Sequence, residues 1–179
     1  MELATALIFA LLYWHYGLSA ELGIMIFFVC LFTVIFVIDL EQGLILNKVV
    51  YPSMVAALLL ALLPRPWLTQ WLVTGIANAA LGGGIGFAIF FLIAIASRGG
   101  MGWGDVKLVA LIGLATGFPL IFFSIIIGAI FGAIVAVALV ITKRRKSRGT
   151  IPFGPFLAVA AMVTLLWGSN ILNWYLGLV

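Results

Sequence analysis

The stretch that decides the fold is residues 22–39, which read LGIMIFFVCLFTVIFVID. Apart from its final carboxylate it carries no charge, and it approaches the length of about 20 apolar residues that crosses a bilayer as a helix. Its continuous apolar centre, residues 24–32, lacks the alternation of apolar and polar residues typical of a membrane β-barrel strand. Because every backbone polar group in lipid must be paired, the stretch predicts a transmembrane helix.

The composition extends this prediction to the whole chain. Its 179 residues are 66% hydrophobic and 8% charged, and the mean hydropathy is +1.36. An average soluble domain is roughly 45–50% apolar and about 25% charged, so a soluble protein of this composition would lack the polar surface to stay dispersed. This excludes a soluble enzyme, a disordered chain and a nucleic-acid-binding module. The single cysteine, Cys30, excludes an intrachain disulfide and a cysteine-based zinc site.

Seven apolar segments are candidates for membrane helices, and we expect an all-α polytopic membrane protein, a bundle of about seven transmembrane helices with six to seven compatible with the pattern. The fifth segment is the shortest, because Gly117 and Pro119 favour a half-span or a tight turn there. Glycines at 82, 83, 84 and 86 in the fourth segment favour close helix packing over a kinked helix at a ligand groove. The seven segments are residues 3–17, 22–39, 49–63, 71–97, 106–116, 120–142 and 152–175.

The basic residues orient the bundle. Placing the loop at 39–48 in the cytoplasm also places the loops at 98–107 and 143–148 there. Eight of the nine Lys and Arg residues are then inside and only Arg65 is outside, as the positive-inside rule requires. We interpret the run at 143–148 as an anchor that binds anionic lipid, so the basic balance of the chain reports topology and no nucleic-acid partner is expected.

Two carboxylates fall at the same rim on different helices: Asp39 ends the second segment and Asp105 opens the fifth. Ionisable residues at membrane depth are costly and usually functional. If the two carboxylates meet, like-charge repulsion raises one pKa and the pair holds one proton near neutral pH. One can then take a proton from water while the other protonates a peptide carbonyl, as in an aspartic protease. The alternative is that both are interfacial residues paired with Lys48 or Lys107.

Glycine crowds the approach to Asp105. We expect the loops at 99–104 and 42–47 to be the most mobile parts of the chain and to admit an extended substrate. In this hypothesis Gly102 and Gly104 belong to a substrate-binding loop, because lacking a Cβ they let a substrate backbone come near. We also assign two neighbouring charged residues, Glu41 and Lys107, to the substrate-binding loop. Glu41 could contact basic substrate residues or pair with Lys48, and Lys107 could reach lipid headgroups or lower the pKa of Asp105.

Three segments resemble a known family. The sequence GWGD at 102–105 resembles the GxGD motif of bacterial type IV prepilin peptidases, residues 38–45 (IDLEQGLI) are similar to the segment with that family's first catalytic aspartate, and residues 151–157 (IPFGPFL) resemble the start of its last helix. The resemblance covers essentially the whole chain. It implies a multi-pass aspartic endopeptidase of the bacterial inner membrane, with Asp39 and Asp105 catalytic and the active site facing the cytoplasm. The implied substrates are prepilins or pseudopilins, whose short basic leaders are removed after a glycine.

The resemblance also bears on cofactors and domain organisation. Proteolysis by two aspartates implies no cofactor and no metal, and S-adenosylmethionine would be needed only if the N-methylation common in the family were retained. The family's N-terminal helix and cysteine-bearing cytoplasmic segment have no counterpart here. We therefore expect residues 1–179 to form one membrane-embedded peptidase domain, a short or truncated form. Leu46 and Asn47 stand where the family commonly has Pro-Asp.

Two other functions are weighed against this one. A presenilin-like intramembrane protease shares the GxGD element but needs a Tyr-Asp pair and a Pro-Ala-Leu segment, whereas Asp39 follows Ile38 and the last segment begins Pro152-Phe153-Gly154. A small transporter or scaffold could use the two aspartates as ion ligands. It should show broken helices near the midplane and paired halves, which we do not find in the sequence.

Overall fold

The computed structural model describes residues 2–63, 75–97, 100–141 and 152–175, and all regular secondary structure in these ranges is helical. The described residues form seven helices, which confirms the predicted all-α bundle. Their bounds are α1 Glu2–Tyr16, α2 Ala20–Gln42, α3 Asn47–Leu60, α4 Ile76–Ala96, α5 Trp103–Thr116, α6 Leu120–Ile141 and α7 Gly154–Tyr175.

Four of the helices are long and apolar enough to cross a membrane: α2, α4, α6 and α7. The chain is therefore a polytopic helical membrane protein. The apolar helices α1 and α3 are shorter, and α5 has only 14 residues, as expected for the three short segments. The tight turn expected near Pro119 is present, since α5 ends at Thr116, Gly117 has a φ of 72° and α6 begins at Leu120.

The predicted boundary of the fifth segment is wrong by three residues. Helix α5 begins at Trp103, three residues before the predicted start at 106, and Asp105 lies in its first turn, in agreement with the prediction that Asp105 opens this segment. The reason is that Gly102 already has an extended backbone and serves as the N-cap, so the chain enters the helix before the apolar run starts. The basic run at 143–148 and the beginning of the predicted fourth segment, residues 71–74, lie outside the described residues.

Helix α5 packs most closely against α4, and glycines make that approach feasible. An added Cβ on Gly82 would collide with the backbone of Gly113, and one on Gly113 would collide with the backbone of Gly82. One turn further along, a Cβ on Gly86 would lie 2.9 Å from the carbonyl oxygen of Val109. Small residues allow helix backbones in membranes to come this close. The packing interpretation of this glycine cluster is confirmed for α4, except that Gly84 faces open space.

Helix α7 packs against both α2 and α6. On the α6 side, a Cβ on Gly132 would lie 2.8 Å from the ring of Phe153, and that ring also stacks on Phe90 of α4 with centroids 6.3 Å apart. These contacts place the beginning of α7 beside the end of α4. The ends of α2 and α4 and the beginnings of α5 and α7 therefore meet on one side of the bundle.

The α4–α5 contact predicts a difference between two neighbouring glycines. Gly82→Ala should lower the free energy of unfolding by about 1–3 kcal/mol, because the added methyl group overpacks a closed interface. Gly84→Ala is the matched control and should leave stability unchanged or slightly higher, since its Cβ would meet no atom within 4 Å. Thermal unfolding in detergent, followed by circular dichroism, measures both. Equal stability of the two variants would contradict the packing.

Candidate active site

Asp39 lies in the last turn of α2, and a glycine ends the helix directly after that turn. Gly43 has a left-handed backbone, with φ 62° and ψ 26°, and its N–H donates a 2.9 Å hydrogen bond to the carbonyl oxygen of Asp39. This conformation strains most other residues and is typical of helix C-termini. It turns the chain sharply into the loop at 43–46. The Asp39 side chain is only 3% exposed, so the carboxylate points into the bundle.

The buried carboxylate of Asp39 lies against the beginning of α7. The backbone N–H of Gly154 is a donor facing this carboxylate, and a Cβ on Gly154 would collide with Oδ2 and lie 3.0 Å from Cγ. Among the described residues, Oδ2 has no hydrogen-bond partner. A residue larger than glycine could not stand at 154 without displacing Asp39.

Gly154 is a site residue that the sequence indicates only through the resemblance of its segment to the family. A local signal was available in the Gly154-Pro155 pair. The first N–H groups of a helix have no partner within the helix, and proline contributes none. Gly154 therefore presents a free amide at the start of α7, where a negative charge is also favoured by the helix dipole.

Asp105 occupies the first turn of α5, ahead of the helix's apolar part. Its backbone N–H donates a 3.1 Å hydrogen bond to the carbonyl oxygen of Gly102, and its side chain is half-buried. Burial raises the pKa of the Asp105 carboxyl to about 6, and the nearby charge of Asp39 is the second cause of that rise. A helix N-terminus favours the ionised form of a carboxyl group, but burial and the second carboxylate outweigh this effect at Asp105.

Asp39 and Asp105 line one cavity of about 720 Å³. The structure thus brings together the two carboxylates that the sequence singled out. The other described residues of the lining are glycines, one serine and apolar side chains, with no lysine or arginine among them. The described residues contain no cluster of three or more His, Cys, Asp or Glu side chains that could hold a metal ion. The other lining residues are Gly43, Leu44, Ile45, Ile93, Ser97, Gly100, Met101, Gly102, Trp103, Gly104, Pro152 and Phe153.

Two residues predicted for the substrate-binding loop, Glu41 and Lys107, are not among the residues that line the cavity. Each stands two positions after an aspartate on the same helix, so helical geometry turns it about 200° away. Glu41 is exposed near the end of α2. Lys107 contacts the start of α3. Its Nζ donates a 2.9 Å hydrogen bond to Oδ1 of Asn47.

The two predicted loop glycines do line the cavity, but in different ways. A Cβ on Gly102 would lie 3.6 Å from Oδ2 of Asp105, an ordinary contact, so its role as a place for substrate backbone stays a prediction. Gly104 is not part of a loop. It lies within α5, and a Cβ there would stand 2.9 Å from Cβ of Ile45. Its lack of a side chain makes room for Ile45. The placement in a loop is thus wrong, whereas a part in substrate binding stays a prediction.

The described residues thus form a polytopic membrane bundle with two carboxylates in one cavity where four helices meet. Residues 26–137, which include both aspartates, match the model of the type IV leader peptidase family. The chain belongs to this family.

Similar proteins carry the name prepilin leader peptidase/N-methyltransferase. The chain is 34% identical to the one from Bacillus subtilis, over 98% of this chain and 68% of the relative. It is 31% identical to the one from Pseudomonas aeruginosa, over 98% of this chain and 60% of the relative. The one from Legionella pneumophila is 41% identical over 43% of this chain and 27% of the relative. No solved structure matches the chain.

The Asp39–Gly154 contact predicts a coupled effect of two substitutions. Gly154→Ala should destabilise the protein by about 1–3 kcal/mol, because the methyl group and the buried carboxylate cannot occupy the same space. Adding Asp39→Ala should recover most of that loss, since the collision is then removed. Unfolding by sodium dodecyl sulfate, monitored by tryptophan fluorescence, measures the cycle. Gly23→Ala on α2, whose Cβ would meet nothing within 4 Å, is the control. Additive losses would contradict the contact.

Proposed function

We propose that this protein is an aspartic endopeptidase that removes the leader from prepilins or pseudopilins at the cytoplasmic face of the bacterial inner membrane. One observation carries the proposal: Asp39 and Asp105 line a single cavity in a member of the type IV leader peptidase family. Relatives that share most of this chain are named prepilin leader peptidases. Family membership also favours this function over a presenilin-like protease or an ion transporter.

The two carboxylates divide the work of general acid and general base. Burial raises the pKa of Asp105 to about 6, so Asp105 carries the proton that the pair shares and is the general acid. Asp39 faces the N–H of Gly154 and is the ionised general base. Asp39 takes a proton from a water molecule, whose oxygen attacks the scissile carbonyl carbon. Asp105 protonates the carbonyl oxygen at the same time. These are the roles that general acid–base catalysis by two carboxyl groups requires.

The tetrahedral intermediate then collapses, and two proton transfers restore the two aspartates to their starting protonation states. The C–N bond breaks, the proton held by Asp39 passes to the leaving nitrogen, and Asp105 recovers its proton from the hydroxyl group as the new carboxylic acid forms. No cofactor enters these steps, so S-adenosylmethionine would serve only a separate methylation. The proton balance restores the pair to its starting state after each turnover.

The cavity suits a substrate that is basic on one side of the cut and apolar on the other. Among the described residues, the charged side chains that line it are the two carboxylates of Asp39 and Asp105, which favour a positively charged leader through electrostatic complementarity. Apolar side chains such as Ile93 and Phe153 form much of the wall. A helical substrate must unwind to be attacked, and a glycine before the scissile bond weakens a helix by about 1 kcal/mol relative to alanine.

The placement of charges supports the cytoplasmic orientation. Both aspartates lie on the side of the bundle where α2 ends and α5 begins, and Lys48, the second residue of α3, and Lys107, the fifth residue of α5, lie near these helix ends. Concentration of Lys and Arg on one side is typical of the cytoplasmic face. The cavity would then open toward the compartment in which the leader of a prepilin resides.

The test is cleavage by the full chain in detergent or liposomes. Incubation with a prepilin and mass spectrometry of the products should locate one cut, directly after a glycine. Asp39→Asn and Asp105→Asn should each lower turnover by about 10²–10⁴-fold, since each removes a proton-transfer group. Glu21→Gln, at the opposite end of α2, is the matched carboxylate control and should retain activity.

Three results would contradict the proposal. They are the absence of any cut, substantial turnover in either aspartate variant that folds and inserts normally, and loss of activity with EDTA that zinc restores. The last result would indicate that the nucleophile is a metal-bound water and not a water activated by the two carboxylates.

A further inference from the structure

We propose that Lys107 is a positioning residue: through its hydrogen bond to Asn47 it holds the loop at 43–46 in the place that sets the separation of Asp39 and Asp105. The proposal rests on the proposed function. It concerns a side chain outside the cavity, and it explains why a cation two positions from Asp105 is turned away from it.

The loop at 43–46 contacts both parts of the site, the one that carries Asp39 and the one that carries Asp105. It leaves α2 at Gly43, whose N–H is bonded to the carbonyl oxygen of Asp39. Its residue Ile45 then touches both sides of the site. A Cβ on Gly104, next to Asp105, would lie 2.9 Å from Cβ of Ile45, and a Cβ on Gly154 would lie 3.2 Å from Cδ1 of Ile45. Ile45 is thus a spacer between the two halves of the site.

The far end of the loop is tied to α5 by Lys107. Its Nζ donates a 2.9 Å hydrogen bond to Oδ1 of Asn47, the first residue of α3. The same ammonium lies 5.2 Å from the centroid of the Tyr51 ring, one turn further along α3. A hydrogen bond with a charged donor is stronger than a neutral one, and the ring adds a cation–π attraction. Both contacts hold α3, and with it the end of the loop, against the aspartate-bearing helix.

The position of the loop matters because the reaction needs both carboxylates within reach of one water and one carbonyl group. A misplacement of about 1 Å in such a site can cost about 10²-fold in rate. Ile45 lies only two residues before Asn47, so loss of the Lys107 bond frees the spacer to shift. We therefore expect a lower kcat with little change in KM, because the residues that contact substrate remain.

The experiment is a double-mutant cycle with an exchange of the two side chains. Lys107→Met and Asn47→Ala should each lower kcat on the prepilin by about tenfold with KM within about twofold, and the double variant should lose no more than either single one. Asn47→Lys combined with Lys107→Asn exchanges donor and acceptor and should restore most of kcat. Lys48→Met, an exposed lysine beside the same loop, is the matched control and should behave as wild type.

A second readout separates the contact from the reaction. The same cycle, measured on the thermal unfolding midpoint in detergent, should show coupling between positions 47 and 107 whether or not the chain cleaves a prepilin. Additive losses of kcat, no recovery in the exchanged variant, or a change confined to KM would overturn the positioning role, the last of these indicating direct substrate contact by Lys107. A wild-type chain that cleaves nothing overturns the proposed function, and the absence of coupling in unfolding overturns the contact itself.

Discussion

The buried carboxylate of Asp39 is the constraint on which the rest of the site depends. Its side chain is 3% exposed, and a buried charge is costly unless polar groups are brought to it. The structure brings the start of α7, where the free amide of Gly154 faces the carboxylate and the lack of a side chain leaves room for it. The start of the last described helix is therefore the part of the fold that accommodates this carboxylate.

The second carboxylate is placed by packing of a different kind. Asp105 stands at the start of α5, and the position of α5 is set by the close approach of its backbone to that of α4 at Gly113 and Gly82. In lipid the hydrophobic effect does not drive helices together, so close contact between small residues contributes much of the association. A rigid α4–α5 pair thus carries one aspartate, and the α2–α7 pair carries the other.

A contact between these two helix pairs must hold the carboxylates close together against their mutual repulsion. The loop at 43–46 supplies it, because Ile45 touches residues on both sides and Asn47 is bonded to α5 through Lys107. Like charges in one cavity favour sharing a proton, and the raised pKa of Asp105, about 6, reflects that environment together with burial. The packing that brings the two carboxylates into one cavity thus also raises the pKa of Asp105.

Much of this molecule was accessible from the sequence. The helical bundle follows from the length and composition of the apolar segments, because lipid admits few other ways to pair the backbone. Asp39 and Asp105 stand out because charges are rare in such segments, and the glycines of α4 indicated close packing. The start of α5 lies before the predicted boundary, because Trp103 and Gly104 follow a glycine-rich stretch and precede the apolar run.

What the sequence by itself determined is therefore the set of helices and the two carboxylates, which depend on local composition and order. Only the tertiary structure decided the neighbours: Gly154 beside Asp39, Ile45 on Gly104 and Lys107 on Asn47. The physical reason is that these contacts depend on how far each helix is rotated about its axis. A soluble helix reveals that rotation by its polar face, whereas a helix that is apolar on all sides gives no such sign until its neighbours are known.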